Sequence, residues 1–191
     1  MERTVVWSNL ETAGLEYLHL AEGPDGVSAH ATLIGMTAAG PYRAHYLIRC
    51  DSAWETREVS FDTLDAEGRG RVLKLRVDAD GRWSTLQGAP VPLLDGCRDV
   101  DFTATPFTNT LPIRRLNLSI GESTEIAVAY VATADLVLRS ERQRYTRLSA
   151  SRDEGTYRYE GLTTGYTTEL RVDVDGLVLD YPGLFRRVWP R

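Results

Sequence analysis

Two pairs of ionisable side chains bracket residues 99–116, DVDFTATPFTNTLPIRRL. Asp99 and Asp101 open this stretch, and Arg114 and Arg115 close it. Two carboxyls separated by one residue share a face of an extended chain, where they could act as a general acid and a general base. Spacing alone is a weak signal for catalysis, so ion pairing with the arginines is favoured. The sequence predicts that one of the two aspartates pairs with one of the two arginines.

Aromatic and long polar side chains are the other candidates for a site. Aromatic faces pack on sugar rings and acyl chains, whereas Arg, Asn and Gln hold polar head groups. The competing interpretation is that the strand aromatics belong to the core. The predicted ligand-binding residues are Trp54, Arg57, Trp83, Asn109, Arg114, Arg115, Gln143 and Tyr145.

The three histidines provide a weak signal for a metal site. If EGPDG and TAAG are tight turns, His19 lies opposite His30, and His45 lies near His30 on the same face. Three imidazoles could hold zinc. The same face carries Thr32, Arg43 and Arg49, however, which favours a solvated or cavity-lining polar face. No metal is predicted.

Sequence motifs for the familiar catalytic chemistries are absent. The turns DADG and DVDG lack the later ligands of a calcium loop, and neither GxSxG nor GxxxxGK[ST] occurs. The sequence therefore predicts no cofactor and no catalytic residue, and it argues against an enzyme without excluding one.

Length, charge and cysteine usage restrict the class of protein. A chain of 191 residues is expected to form one domain, residues 1–191. A net charge of −5 argues against nucleic-acid binding. We expect no signal peptide and no membrane span, because no apolar run approaches ~20 residues. Cys50 and Cys97 lie outside any CxxC motif, so reduced thiols and a cytoplasmic location are predicted.

Alternation of apolar and polar residues predicts an all-β fold of about eleven or twelve short antiparallel strands. Turns that combine Asp with Gly suit tight hairpins. One short helix is the exception, with Asn109 or Thr110 as its cap and Leu116 near its end. The predicted strands are 14–20, 27–36, 42–50, 54–61, 71–77, 82–83, 125–131, 136–150, 156–162, 167–172 and 177–181.

An internal repeat divides the chain into two halves. LRVDADGRW (75–83) matches LRVDVDGLV (170–178) at six of nine positions. Two hairpins that converged on one turn would explain the match, but we favour two similar meanders. Residues 42–85 and 143–182 are therefore predicted to superpose. Residues 86–124 would then connect the halves.

The block GCRDVDFTATPFTNTLPIRRL (96–116) strongly resembles the signature of the bacterial "Putative glycolipid-binding" family. The resemblance implies a spiral β-roll, built from one long antiparallel sheet. It also implies a likeness to bacterial lipid-carrying proteins that hold acyl chains in a β-lined cavity. Further blocks resemble the family in the same order: GLEYLHL, YLIRCDSAWETREV, DADGRW, QRYTRL and VDVDGLVLDYP.

These observations together favour non-catalytic binding of an amphipathic ligand, such as a glycolipid, in a β-lined cavity. The alternatives are a hydrolase that acts on a lipid or sugar ester through Asp99 or Asp101, and a scaffold that binds a protein. A cavity lined by apolar side chains would favour ligand binding, and a cleft shared by both carboxylates would favour the hydrolase. A filled core with an exposed apolar patch would favour the scaffold.

The predicted cavity has an aromatic wall and a basic entrance. Trp54, Trp83 or Tyr145 would line one side, and Arg57 or Arg114 would lie near the opening. Neither the identity of the ligand nor the oligomeric state follows from the sequence.

Overall fold

One sheet contains all fourteen strands of residues 1–190, the part of the chain that the computed structural model describes. One α-helix, α1 (Thr110–Leu116), and two 3₁₀ turns, Pro92–Leu94 and Phe107–Asn109, lie in the connection between its halves. The strands are β1 (Glu2–Asn9), β2 (Gly14–Gly23), β3 (Gly26–Thr37), β4 (Gly40–Cys50), β5 (Thr56–Asp65), β6 (Gly70–Val77), β7 (Trp83–Thr85), β8 (Asp99–Phe102), β9 (Ser123–Ala132), β10 (Val137–Ala150), β11 (Glu154–Gly161), β12 (Tyr166–Asp173), β13 (Val178–Tyr181) and β14 (Phe185–Trp189).

The order of strands brings the two ends of the chain together at the middle of the sheet. It runs β7-β6-β5-β4-β3-β2-β1-β14-β13-β12-β11-β10-β9-β8. β1 pairs with β14, and each half continues outward as a meander. All neighbours are antiparallel except β8 and β9, because β8 arrives from the connection between the halves rather than from a hairpin.

The all-β class, the antiparallel-dominated sheet and the short helix are confirmed. The predicted count of eleven or twelve strands omits β1, β8 and β14. β1 and β14 break simple alternation, and β8 alternates but has only four residues. β1 contains the apolar run 5–7, and β14 places Arg186 beside Arg187. β8 carries the two aspartates of the central stretch.

The predicted strand 54–61 begins two residues late, at Thr56. Trp54 lies in the preceding turn with a φ of 65°, a region that bulky residues rarely occupy. The Asp51 side chain holds this turn, because its Oδ1 accepts hydrogen bonds from the backbone N–H groups of Ala53 and Glu55.

The predicted helix is present, but its cap differs from the prediction. Asn109 precedes α1 with helical backbone angles and makes no side-chain cap bond. Its side chain instead accepts a hydrogen bond from the Tyr145 hydroxyl and donates one to the Pro106 carbonyl. The 3₁₀ turn Phe107–Asn109 leads directly into α1, so the helix begins without a polar cap.

The two DxDG turns join adjacent strands in the same way. Asp78 Oδ1 accepts hydrogen bonds from the backbone N–H groups two and four residues later, with both N···O distances at 2.9 Å. Asp173 Oδ1 accepts the corresponding two hydrogen bonds at 3.0 Å. Gly81 and Gly176 both adopt positive φ, 79° and 77°. These hairpins occupy corresponding places in β4–β7 and β10–β13. The superposition of 42–85 on 143–182 stays a prediction.

The faces of β2–β4 agree with the predicted alternation. His19 pairs with His30, and His45 pairs with Thr32. On the opposite face, the side chains of Ala29, Ala31, Leu33, Tyr46 and Ile48 are all buried.

The connection between the halves packs onto the buried face of the sheet. Phe102 lies 5.1 Å from Phe61 and 5.7 Å from Tyr46, measured between ring centroids. Phe107 and Leu111 are fully enclosed in the same cluster. The stretch 99–116 is therefore a structural part of the core. Across residues 1–190, no helix combines the length and apolar character that crossing a bilayer requires.

Cys50 and Cys97 are free thiols, as predicted, and the structure shows that both are buried. Burial, with the nearby charges of Asp99 and Asp51, raises the pKa of Cys50 to about 12. We expect both thiols to resist a thiol reagent such as DTNB in native buffer and to react fully in denaturant. Rapid labelling of the folded protein would contradict this burial. Absorbance of the released thiolate measures both rates.

Candidate functional site

A half-open cavity of about 440 Å³ lies between the second half of the sheet and the connection. We call it the tyrosine cavity, because Tyr130, Tyr159, Tyr166 and Tyr181 line it. These residues come from β9, β11, β12 and β13, which lie in one continuous run of the sheet with β10 between β9 and β11.

Three of the four tyrosine rings form a continuous cluster. Tyr159 lies 6.2 Å from Tyr166 and 6.4 Å from Tyr181, and the rings of Tyr166 and Tyr181 are stacked at 6.4 Å. Burial raises the pKa values of Tyr159 and Tyr181, so their hydroxyls stay protonated at neutral pH. Such a wall offers flat apolar faces with hydrogen-bonding groups at their edges.

The polar floor of the tyrosine cavity is a hydrogen-bonded network. Asp101 accepts hydrogen bonds from Thr108 Oγ1 at 3.0 Å and from Gln143 Nε2 at 2.7 Å. The Tyr145 hydroxyl donates to Asn109 Oδ1 at 2.9 Å. Burial raises the pKa of Asp101, and its hydrogen bonds from Gln143 and Thr108 counter the shift. Asp101, Asn109 and Gln143 all line the cavity, and these hydrogen bonds hold their side chains in place.

Asp99 takes no part in the cavity, because it forms the predicted ion pair. Arg115 donates from Nε and Nη2 to the two carboxylate oxygens, with the shortest contact at 2.5 Å. The side chains of Asp99 and Arg115 are 1% and 13% exposed. Burial raises the pKa of Asp99, and the hydrogen bonds and charge of Arg115 counter that shift. The two aspartates therefore have separate roles.

A second cavity of about 540 Å³ lies beside α1, which contributes Ile113 and Arg114 to its wall. We call it the arginine cavity, after Arg114 and Arg147, which line it together with Trp54 and Tyr157. The Arg114 guanidinium lies 4.7 Å from the Trp54 ring centroid and contacts Glu22 at 3.1 Å. This cavity combines aromatic faces with cationic groups.

A third cavity, of about 560 Å³, adjoins the tyrosine cavity, and both are lined by Asn9 and Thr103. We call it the apolar cavity, because apolar side chains make up much of its wall. These are Met36, Ala38, Ala39, Pro41, Phe61, Ala104 and Ala134.

Four of the predicted ligand-binding residues line cavities, in two pairs. Asn109 and Gln143 lie in the tyrosine cavity, and Trp54 and Arg114 lie in the arginine cavity. The structure therefore divides a set that the sequence treated as one site.

The other four predicted residues have structural partners. Arg57 binds Asp51 at 2.5 Å, and Arg115 binds Asp99. Trp83 and Tyr145 are buried, at 1% and 2% exposed. The Trp83 indole N–H donates a hydrogen bond to the Cys97 carbonyl, and the Tyr145 hydroxyl donates one to the Asn109 side-chain oxygen. The wall of the tyrosine cavity is instead made by other aromatic residues.

Sequence reasoning missed most of the residues that line the tyrosine cavity. Tyr166 and Tyr181 lie at strand ends, where they resemble turn residues. Tyr130 and Tyr159 look like core positions within alternating strands. The one available signal is the density of tyrosine in the second half, which does not say that the rings converge.

Glu16 is a buried carboxyl that the sequence did not single out. It is 3% exposed, and its Oε1 accepts hydrogen bonds from Tyr46 at 2.5 Å and Thr105 at 2.8 Å. Its Oε2 is buried without a partner among residues 1–190. Burial raises the pKa of Glu16 to about 7, against the effect of the two hydrogen bonds. Thr105 also lines the tyrosine cavity.

The histidine face contains ordinary side-chain hydrogen bonds. His45 Nδ1 lies 3.0 Å from Thr32 Oγ1, and His30 Nε2 lies 3.0 Å from Ser28 Oγ. Within residues 1–190, no three His, Cys, Asp or Glu side chains are grouped so that they could hold a metal ion.

Comparisons with known proteins agree with this architecture. The model of the family described as "Putative glycolipid-binding" matches residues 4–187. A crystal structure of a DUF1089 family protein from Pseudomonas aeruginosa is similar at 40% identity and a TM-score of 0.80, over 91% of this chain and 92% of that one. No curated protein matches the chain. The chain belongs to the family described as "Putative glycolipid-binding".

Proposed function

We propose that the protein binds an amphipathic ligand without catalysis and that the tyrosine cavity holds the ligand's sugar head group. The observation that carries this proposal is the convergence of four tyrosines above the polar floor of Asp101, Asn109 and Gln143. A volume of about 440 Å³ is within the usual range of small-molecule sites. The family description supports the same class of ligand.

The two surfaces of this cavity suit the two surfaces of a sugar. The C–H faces of a pyranose pack on aromatic rings, and Tyr159, Tyr166 and Tyr181 supply such rings. Ring hydroxyls need fixed acceptors and donors. Asp101 and Gln143 are held by hydrogen bonds before a ligand enters, which lowers the cost of ordering them.

The apolar part of the ligand has a neighbouring place to lie. The apolar cavity adjoins the tyrosine cavity at Asn9 and Thr103. An acyl chain passing between them would leave water and contact Met36 and Phe61, with a gain of about 0.8 kcal/mol for each methylene buried. This arrangement separates head and tail as an amphipathic ligand requires.

Binding is favoured over hydrolysis by Asp99 and Asp101 because these two carboxyls do not share the cavity. Asp99 is enclosed and bound to Arg115, which leaves Asp101 as the only member of the pair that lines the tyrosine cavity. A glycosidase normally places two carboxyls on either side of the bond that it cleaves, and the pair Asp99 and Asp101 does not meet this requirement. Glu11 and Glu141 also line the cavity, and Glu141 lies 3.5 Å from Arg139.

Replacing Tyr159 with Ala should weaken binding of an alkyl glucoside by about 1–3 kcal/mol, because an apolar ring face is lost. Isothermal titration with octyl glucoside, below its micelle concentration, measures the change. Glucose and octanol tested alone should each bind more weakly than the joined molecule, since each fills one cavity.

Tyr157→Ala is the matched control for this experiment. Tyr157 lies two residues away on β11 but lines the arginine cavity. We expect it to leave glucoside binding unchanged. Equal losses in the two variants, or no binding of any alkyl glycoside by the wild type, would remove the basis of the proposed function.

A further inference from the structure

We propose that the arginine cavity is a second binding site, in which the guanidinium of Arg147 takes the carboxylate or phosphate of a small anionic molecule. The arginine cavity shares no lining residue with the tyrosine cavity within residues 1–190. This proposal therefore does not depend on glycolipid binding.

The balance of charges singles out Arg147. Every carboxylate that lines the arginine cavity already has an arginine partner, and these pairs are Glu22–Arg114, Glu154–Arg171 and Asp173–Arg187. Arg147 is the charged lining residue for which the structure of residues 1–190 shows no ion pair. Arg147 thus contributes a positive charge that has no carboxylate partner, although the lining residues together carry three negative and two positive charges and Arg171 and Arg187 lie outside the lining.

The hydrogen bonds of Arg147 are also incomplete. Nη1 donates to the Leu118 carbonyl at 2.8 Å, and this is the one hydrogen bond that its side chain makes within the described residues. Nε is buried without a partner. Buried donors are nearly always satisfied. The Nε and Nη2 edge is the part of a guanidinium that binds a carboxylate or phosphate with two parallel hydrogen bonds.

Aromatic residues and a strained turn surround this charge. The Arg147 guanidinium lies 5.8 Å from the Tyr157 ring, and Arg114 covers the Trp54 ring. Trp54 keeps an unfavourable φ of 65° while only 4% of its surface is exposed. Such backbone strain is concentrated at binding and catalytic sites. The cavity could therefore hold an anionic group beside a flat ring or a sugar.

Titration with inorganic phosphate at low ionic strength tests the proposal. We expect wild-type protein to bind phosphate and Arg147→Met to bind it about 10- to 100-fold more weakly, as loss of charge-assisted hydrogen bonds predicts. Arg147→Lys should fall between them, because an ammonium keeps the charge but not the paired donors. The Arg147 Nε–H resonance of wild-type protein should shift on binding.

Arg144→Met is the control for net charge. Arg144 lies on the same strand but pairs with Glu125 and Glu160 outside the cavity. It should leave phosphate binding unchanged, whereas equal weakening in both variants would overturn the proposal. An Arg147 Nε–H resonance of wild-type protein that does not shift when phosphate is added would also overturn the proposal. This measurement tests the proposal even if Arg147→Met does not fold.

Vesicles distinguish a free anion from a lipid head group. If the natural ligand is a phospholipid head group, vesicles containing phosphatidylglycerol should bind the wild type and compete with phosphate, whereas phosphatidylcholine vesicles should not. Phosphate binding without vesicle binding assigns the site to a free small molecule. Failure of wild type to bind phosphate, acetate or vesicles would contradict the site altogether.

Discussion

Arg115→Met is expected to destabilise the protein by about 3–5 kcal/mol, because removing one partner of a buried ion pair strands the other charge. The charge left behind is that of Asp99, whose side chain is 1% exposed. This cost is a large fraction of the 5–15 kcal/mol that holds a typical domain folded. Urea unfolding at constant m-value measures the loss.

Arg114→Met is the matched control, one residue away on the same helix. Its partner, Glu22, is 28% exposed, and so is Arg114 itself. Exposed pairs contribute about 0–1 kcal/mol, so this variant should lose much less stability than Arg115→Met. Asp99→Asn combined with Arg115→Met should recover most of the loss, since no buried charge then remains. Equal losses in both single variants would show that burial of the Asp99–Arg115 pair is unimportant.

The second large effect is a pH dependence that comes from Glu16. Its carboxyl has a pKa of about 7 in the folded protein and 4.5 when unperturbed. Between those values the folded chain retains a proton that the unfolded chain has released, so stability should fall as pH rises from about 4.5 to 7. At 1.36 kcal/mol per pKa unit, the total contribution is about 3 kcal/mol.

Glu16→Gln isolates this contribution from all other titrations. The amide fits the same space, and its oxygen can still accept from Tyr46 and Thr105. The free energy of unfolding of wild type minus that of Glu16→Gln should be larger at pH 5 than at pH 8. Unfolding in guanidinium at both pH values gives the difference. An identical pH dependence in the two proteins would place the pKa of Glu16 near its ordinary value.

Local sequence determined the parts of this structure that depend on neighbouring residues. Alternation placed Ala29 and Ala31 inside and His30 outside. The DxDG turns formed hairpins because an Asp side chain binds the backbone N–H groups that follow it and Gly accepts positive φ. The pair Asp99–Arg115 also followed from a short separation in one irregular stretch.

The position of the candidate site depended on long-range pairing instead. β1 pairs with β14 across nearly the whole chain, and β8 enters the sheet parallel to β9. Local propensity contains no information about either contact, and both strands of the central pair contain residues that break alternation. The predicted site residues consequently fell into two cavities and several ion pairs.

The chain by itself thus determined an all-β protein with a short central helix, and tertiary structure decided where its cavities lie. The four tyrosines of the tyrosine cavity lie on four different strands. They converge because β9 to β13 are consecutive in the sheet. Trp83 and Tyr145 were equally plausible as lining residues. They are core side chains because the connection between the halves packs over the sheet, and such packing depends on the whole fold.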